Sequence, residues 1–141
     1  MTVFVDTSAF LALGEPADPH HDEAVALWTA LLLRRDRLIT SNYVVVETVS
    51  LMHHRFGVPA IRTYVEDVLP TVVVDWVDED MHSAALGAVM AGGRRGPSIV
   101  DSTSFEMMRR RHLTTALAFD QHFTERGYTL PAVDAAPGPD L

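Results

Sequence analysis

Four acidic residues stand where a carboxylate is either costly or conspicuous. Asp6 ends the run Val3-Phe4-Val5, and Asp120 ends the run Thr114-Thr115-Ala116-Leu117-Ala118-Phe119. Both runs read as strands, and the continuous apolar character of the first suits a strand covered on both faces. In open α/β sheets ligands bind beyond the carboxyl ends of the strands, so both acids fall where a site would be. Glu47 shares a helical face with Val44, Thr48 and Leu51, and Asp101 shares one with Phe105 and Met108. An acid on a core stripe is expensive unless it is paired or ligated. Plainer uses exist for two of them: Asp6 can cap a helix over Ser8–Leu13, and Glu47 can reach from a boundary position to water.

If these elements are neighbours, the four carboxylates converge on one pocket. Two unit charges 4 Å apart repel by roughly 4 kcal/mol at an effective dielectric near 20, and four compound the cost. Either some are protonated or a cation is bound. The chain has no cysteine, and no histidine is required by the pattern. Hard oxygen donors of this kind select Mg²⁺, with Mn²⁺ also acceptable, rather than Zn²⁺. Such ions keep several waters and clamp phosphates, and one or two of them can activate a water for in-line attack on a phosphodiester.

The charge balance fits that reading. The formal net charge is −8, so no overall basic field draws a polyanion to the protein, and a bound metal would supply the missing positive charge locally. All eleven basic residues are arginine, which removes Schiff-base and lysine-base schemes. The absence of cysteine removes disulfides and thiol nucleophiles. No apolar run reaches the roughly 18 residues of a membrane span, and the start lacks the pattern of a signal peptide. A soluble, cytoplasmic protein is expected.

The elements that must position the acids follow from periodicity and punctuation. A loop over Gly14–Pro19 precedes helical spacing from about His20, where His20 and His21 read as solvated polar residues. Arg37–Thr40 suits a strand, and Ser41-Asn42 caps a helix running to about Phe56. Ala60–Val68 continues helically. Thr71–Trp76 is the clearest strand by β-branched content. Asp78, Glu79 and Asp80 then form the acidic first turn of a helix in which His82 has no partner that spacing would force on it. After the basic loop Ala91–Pro97, Ser98 caps a helix to about Arg111. Gln121-His122-Phe123 starts a short helix, and Tyr128–Leu130 suits a last edge strand. Strands alternating with helices predict a single α/β domain over residues 1–130 with a parallel sheet, and a frayed tail over 131–141.

The ordered set Val5-Asp6-Thr7-Ser8-Ala9, Val46-Glu47, Ile99-Val100-Asp101 and Ala118-Phe119-Asp120-Gln121-His122-Phe123 resembles the PIN-domain ribonucleases, specifically the toxin component of VapBC-type toxin–antitoxin pairs. The first motif alone is weak; the full ordered set with its closing Phe-Asp-x-His-Phe is specific. The resemblance implies a PIN-like three-layer sandwich, a mainly parallel sheet flanked by helices. It also implies Mg²⁺-dependent endoribonuclease action, a homodimer, and neutralisation by a cognate VapB-type antitoxin whose tail enters the acidic groove. Asp6 and Asp101 would be the main metal ligands, with Glu47 and Asp120 completing the catalytic pocket directly or through water. Ser8 would orient Asp6 or a water on the metal. Two departures stand out. His112 occupies the helix end where many members carry Gly, and His122 stands where some place a further acid, so no fifth carboxylate is expected.

Arg94, Arg95 and the run Arg109 to Arg111 are then candidate contacts to RNA phosphates, which supply affinity without sequence selectivity. Two other readings compete. A phosphatase of the haloacid-dehalogenase type also begins strand-Asp, but Ser8 stands where its second Asp belongs and no lysine is available. A non-catalytic PIN-like module that binds RNA or a partner would not need all four acids.

Overall fold

The strand β1 (Thr2–Val5) is hydrogen-bonded on both sides, to β2 (Arg37–Ser41) and to β4 (Ala116–Leu117), and a further strand, β3 (Val73–Asp75), lies beyond β2. The computed structural model describes residues 1–133, and in it the sheet is parallel throughout with strand order β3-β2-β1-β4. Central placement explains the sequence of β1: Val3, Phe4 and Val5 are fully buried, as a strand covered on both faces demands.

Among the described residues, seven α-helices connect and flank the strands. The helices α1 (Thr7–Gly14) and α2 (His21–Leu33) link β1 to β2, while α3 (Asn42–Arg55) and α4 (Val58–Thr63) lead towards β3. The pair α5 (Glu79–Gly92) and α6 (Ile99–Arg110) carries the chain back to β4, and α7 (Gln121–Glu125) follows it. The first two crossovers advance in one direction across the sheet, and the third returns past two strands. Right-handed crossovers therefore place α1–α4 on one face and α5–α6 on the other, giving the expected three layers. Within the layers α1 meets α2 and α3, α3 meets α4, and α5 pairs with α6, while α3 and α6 also touch across them.

The helices around the candidate acids start at caps that the sequence signals. Ser41 accepts from the Val44 amide at the head of α3, Asp78 from Met81 at α5, and Ser98 from Asp101 at α6. The turn before α6 is held by glycine. Gly93 has φ 72°, and a side chain on Gly96 would come within 2.7 Å of the Gly92 carbonyl oxygen.

Several expectations are corrected. The segment Thr71–Trp76 pairs only over Val73–Asp75 and is an edge strand, because Leu69–Thr71 is taken up by a 3₁₀ turn and Trp76 is exposed. The helical stretch past Ala60 passes through a π turn at Tyr64–Val68. Residues 114–119 contribute two paired residues to β4, extended by a single bridge between Thr115 and Thr129, and this bridge is all that remains of the predicted last strand. His21 is not simply solvated, since it donates through Nδ1 to the Ala12 carbonyl at 2.7 Å, whereas His20 is exposed as expected and stacks on Phe119 with ring centroids 4.6 Å apart. His82 contacts the Tyr43 hydroxyl through Nδ1. At the end of α6, His112 adopts φ 56°, the left-handed conformation that suits the Gly of the resemblance.

The expected tail falls largely on residues 134–141, outside the described residues. Its first part packs back on α2, where the Ala132 carbonyl accepts a bond from Arg34. No helix among the described residues is long and apolar enough to cross a membrane.

Candidate active site

The crevice between β1 and β4 is the point where the chain leaves in opposite directions, towards β2 on one side and from β3 on the other. Ligand sites in open α/β sheets form at such switch points, beyond the carboxyl ends of the strands. Asp6 follows β1 there directly. Its amide donates to the Leu117 carbonyl of β4 at 3.0 Å, which brings the ends of the two strands together. Asp120 follows β4 three residues after Leu117 and opens α7.

Asp6 caps α1, and it stands at the same edge of the sheet as Asp120. Its Oδ2 accepts from the Ser8 amide at 3.1 Å and from the Ser8 hydroxyl at 2.6 Å, which leaves Oδ1 for another partner. Ser8 Oγ in turn accepts from the Phe119 amide at 2.9 Å. One hydroxyl thus ties the first acid to the segment that carries the last. Asp120 is a cap as well, accepting from the His122 amide at 2.9 Å.

Glu47 and Asp101 come from the two faces of the sheet, where α3 meets α6. Glu47 sits one turn into α3 behind a cross-link in which Thr48 donates to Thr7 Oγ1 at 3.3 Å and Thr7 donates to the Val44 carbonyl at 3.4 Å. Asp101 lies in the first turn of α6, with its own amide held by Ser98. Phe105 and Met108, on the same face, are buried as expected.

The electrostatics show how near these groups are. Burial pushes the Asp6 carboxyl up from 3.8 to about 6, the Ser8 bonds oppose that, and the charge on Asp101 adds to it. Burial also pushes Asp101 up to about 6, with contributions from the charges of Asp120 and Glu47. Glu47 is raised by burial first, then by Asp6 and Asp120. The four acids therefore act on one another as a single group. Among the described residues none of the four is paired with an arginine: the arginine ion pairs all lie elsewhere.

Carboxylate oxygens of Asp101 and Asp120 and a ring nitrogen of His122 all lie within 4.8 Å of one another. The sequence pattern treats position 122 only as a missing acid. The signal that could have found it is local: a residue two after a capping Asp is bound to that Asp, so its side chain starts beside the pocket.

The arginines are placed differently. Arg94 and Arg95 are exposed in the turn that leads into α6 and so precede Asp101 closely. Arg109 lies eight positions after Asp101, about 12 Å along the helix at 1.5 Å per residue. It is bound to Glu106 at 2.6 Å, Arg110 to Glu106 and Asp80, and Arg111 to Asp75. Arg110 and Arg111 fasten α6 to α5 and β3, while Arg109 pairs within α6.

A parallel sheet in this order, with acids from β1, α3, α6 and the end of β4 meeting at its carboxyl edge, defines a PIN domain. The chain belongs to the PIN-domain family, which matches residues 3–127. Within it, the chain is 36% identical over 127 residues to VapC20 of Mycobacterium tuberculosis, described as a 23S rRNA-specific endonuclease; the match covers 89% of this chain and 95% of that one. The crystal structure of VapC20, described as a Sarcin-Ricin loop cleaving toxin, superposes with a TM-score of 0.79 at 34% identity, over 89% of this chain and 95% of the other. FitAcB from Neisseria gonorrhoeae shares the fold, with a TM-score of 0.62 at 15% identity, over 93% and 97% of the two chains.

Proposed function

We propose that this protein is a divalent-metal-dependent endoribonuclease that hydrolyses RNA phosphodiester bonds and acts as the toxin of a toxin–antitoxin pair. The observation that carries the reading is the pocket of Asp6, Glu47, Asp101 and Asp120, four acids drawn together with no arginine among the described residues to balance them. Capping accounts for Asp6 and Asp120 singly, but holding all four charges together without a cation would cost stability.

The donor set fits a hard divalent ion. Asp6 and Asp101 would be its main ligands, with Glu47 and Asp120 completing the shell directly or through water; Mg²⁺ is the physiological candidate and Mn²⁺ an effective substitute. When bound, the ion supplies the positive charge that a phosphodiester needs and lowers the pKa of water for attack. The chain supplies the rest. Ser8 fixes the Asp6 carboxylate by two bonds, so its free oxygen is aimed before substrate arrives. Asp101 is held by the first turn of a capped helix. Glu47 is more open than Asp6 or Asp101, and its raised pKa suits it to take up a proton from attacking water. Arg94 and Arg95 would hold the RNA backbone on the α6 side.

VapC20 is described as cutting the Sarcin-Ricin loop and as specific for 23S rRNA, and a structured rRNA loop is therefore the substrate class we assign here. An antitoxin would cover the same pocket. Beside Glu47, a cavity of about 410 Å³ is lined by Asn42, Tyr43, Val46 and Val100, and Val46 is 64% exposed. A peptide with an apolar residue next to an arginine has the chemistry to fill that cavity and neutralise the acids. A homodimer, as the resemblance implies, is part of the same proposal.

The test is cleavage of an RNA panel that includes the Sarcin-Ricin loop, with Mg²⁺, with Mn²⁺, with chelator, and with Asp101→Asn. Metal-dependent cutting that Asp101→Asn abolishes while its circular dichroism spectrum is unchanged supports the proposal. Cutting that persists in chelator or in the variant overturns it.

A further inference from the structure

Position 122 places an imidazole in a pocket otherwise built of carboxylates. Its ring nitrogen and carboxylate oxygens of Asp101 and Asp120 lie within 4.8 Å of one another. Donor atoms around one ion, with bonds of roughly 2.0–2.2 Å, lie about 3 Å apart when cis and up to about 4.4 Å when trans, so the three side chains would rotate inward to share an ion.

The imidazole is held from three directions. Its backbone amide donates to Asp120 Oδ1, so residues 120 and 122 move as one unit. The next residue, Phe123, is 2% exposed and packs on Phe4, Phe105 and Tyr128, which anchors α7 to the core. Nδ1 lies 3.5 Å from Glu125 Oε2. A neutral imidazole that donates towards a carboxylate keeps a lone pair on its other nitrogen, the arrangement that orients histidine ligands on metals. The side chain is only 24% exposed, and among the described residues no aromatic stack or apolar cluster accounts for a ring there.

We infer that His122 is a metal ligand, adding one imidazole beside Asp101 and Asp120 to the carboxylate shell of the same ion. This inference rests on the nuclease reading for the presence of an ion, and it changes which ions the site prefers. Carboxylate and water ligands suit Mg²⁺, whereas an imidazole nitrogen favours first-row transition ions in the order Mn²⁺, Co²⁺, Ni²⁺. The protein should therefore bind Mn²⁺ and Co²⁺ in clear preference to Mg²⁺.

Pulsed electron paramagnetic resonance of Mn²⁺ added to the metal-free full chain reads the ligand directly. Wild type should show modulation from a directly bound ¹⁴N, and His122→Gln should lose it. Calorimetry should show Mn²⁺ and Co²⁺ affinity falling by about 10-fold or more in His122→Gln, with Mg²⁺ affinity changed much less. His122→Asp should restore binding with Mg²⁺ favoured. Should the glutamine variant fail to fold, the wild-type spectrum with ¹⁵N-histidine labelling still decides whether histidine is bound. Mn²⁺ binding without nitrogen modulation overturns the inference and leaves the nuclease reading intact. No Mn²⁺ binding at all overturns both.

Discussion

The Ser8 hydroxyl lies 2.6 Å from Asp6 Oδ2 and accepts the Phe119 amide at 2.9 Å. Through these two bonds a single side chain holds the ends of β1 and β4 together at the pocket. Water cannot easily take over the bond to Asp6, which is 3% exposed.

Ser8→Ala should lower stability by about 1–3 kcal/mol, because it strands a backbone amide and weakens the hold on a buried carboxylate. It should also reduce kcat more than KM, since the RNA is bound elsewhere while the geometry of Asp6 is disturbed. Denaturant unfolding and steady-state cleavage together check this. Ser8→Ala with wild-type kcat would show that Asp6 needs no positioning by the hydroxyl.

The raised carboxyls make the metal-free protein sensitive to pH in an unusual direction. Asp6 and Asp101 have folded values of about 6 against an ordinary 3.8. Between those values the folded chain keeps protons that the unfolded chain has released, so stability is highest at the acid side and falls as pH rises from about 4 to 6. The loss is on the order of 2–3 kcal/mol per group, at 1.36 kcal/mol for each unit of pKa. In chelator, Tm should be higher at pH 5 than at pH 7.5. Divalent metal should raise Tm at pH 7.5 much more than at pH 5, and Asp6→Asn should raise it at pH 7.5 without metal. Calorimetric scans in chelator that are flat or rising over this range would contradict the assignment.

The four acids are legible in the sequence because each violates a local rule: a charge at the end of a buried strand, or on a core stripe beside Phe105. The strand order is not, since the pairing of β4 with β1 depends on bonds between residues more than a hundred positions apart. The two weakest strands are overestimated for related reasons. Val72, Val73 and Val74 have high β propensity, but propensity says nothing of whether a partner exists on each side, and among the described residues β3 has a neighbour only at β2. His122 is hidden because its role depends on Asp101 arriving from another element. The pairing of Arg109 to Arg111 with Glu106, Asp80 and Asp75 is equally hidden, as only Glu106 is close in sequence.

His112 carries a backbone conformation that an L side chain adopts at a cost. With φ 56° at the end of α6, it holds the turn into the β4 segment. Left-handed backbone costs a non-glycine residue roughly 1–2 kcal/mol, and glycine returns part of that gain through the greater freedom of the unfolded chain. His112→Gly should therefore stabilise by up to about 1 kcal/mol, and His112→Val should destabilise by more than that. Urea midpoints at constant slope measure both changes. A destabilised glycine variant would mean that the imidazole makes an interaction worth more than the strain.

The two arginine groups should separate in RNA binding. Arg94 and Arg95 are exposed, and none of the described acids pairs with them, so both guanidinium groups are available to phosphates. Arg109 already holds Glu106 at 2.6 Å, and a phosphate would have to displace that partner. The double substitution Arg94→Ala and Arg95→Ala, made in the Asp101→Asn background so that substrate survives, should weaken binding uniformly across RNA sequences. It should also reduce the slope of log affinity against log salt by about 0.7 for each phosphate left without its arginine on single-stranded RNA. Arg109→Ala should leave that slope nearly unchanged and act instead, slightly, on stability, since a solvent-screened ion pair contributes little. Fluorescence anisotropy across a salt series distinguishes the two. An unchanged slope in the loop variant would remove Arg94 and Arg95 from the RNA path, and a reduced slope in Arg109→Ala would move that path along α6.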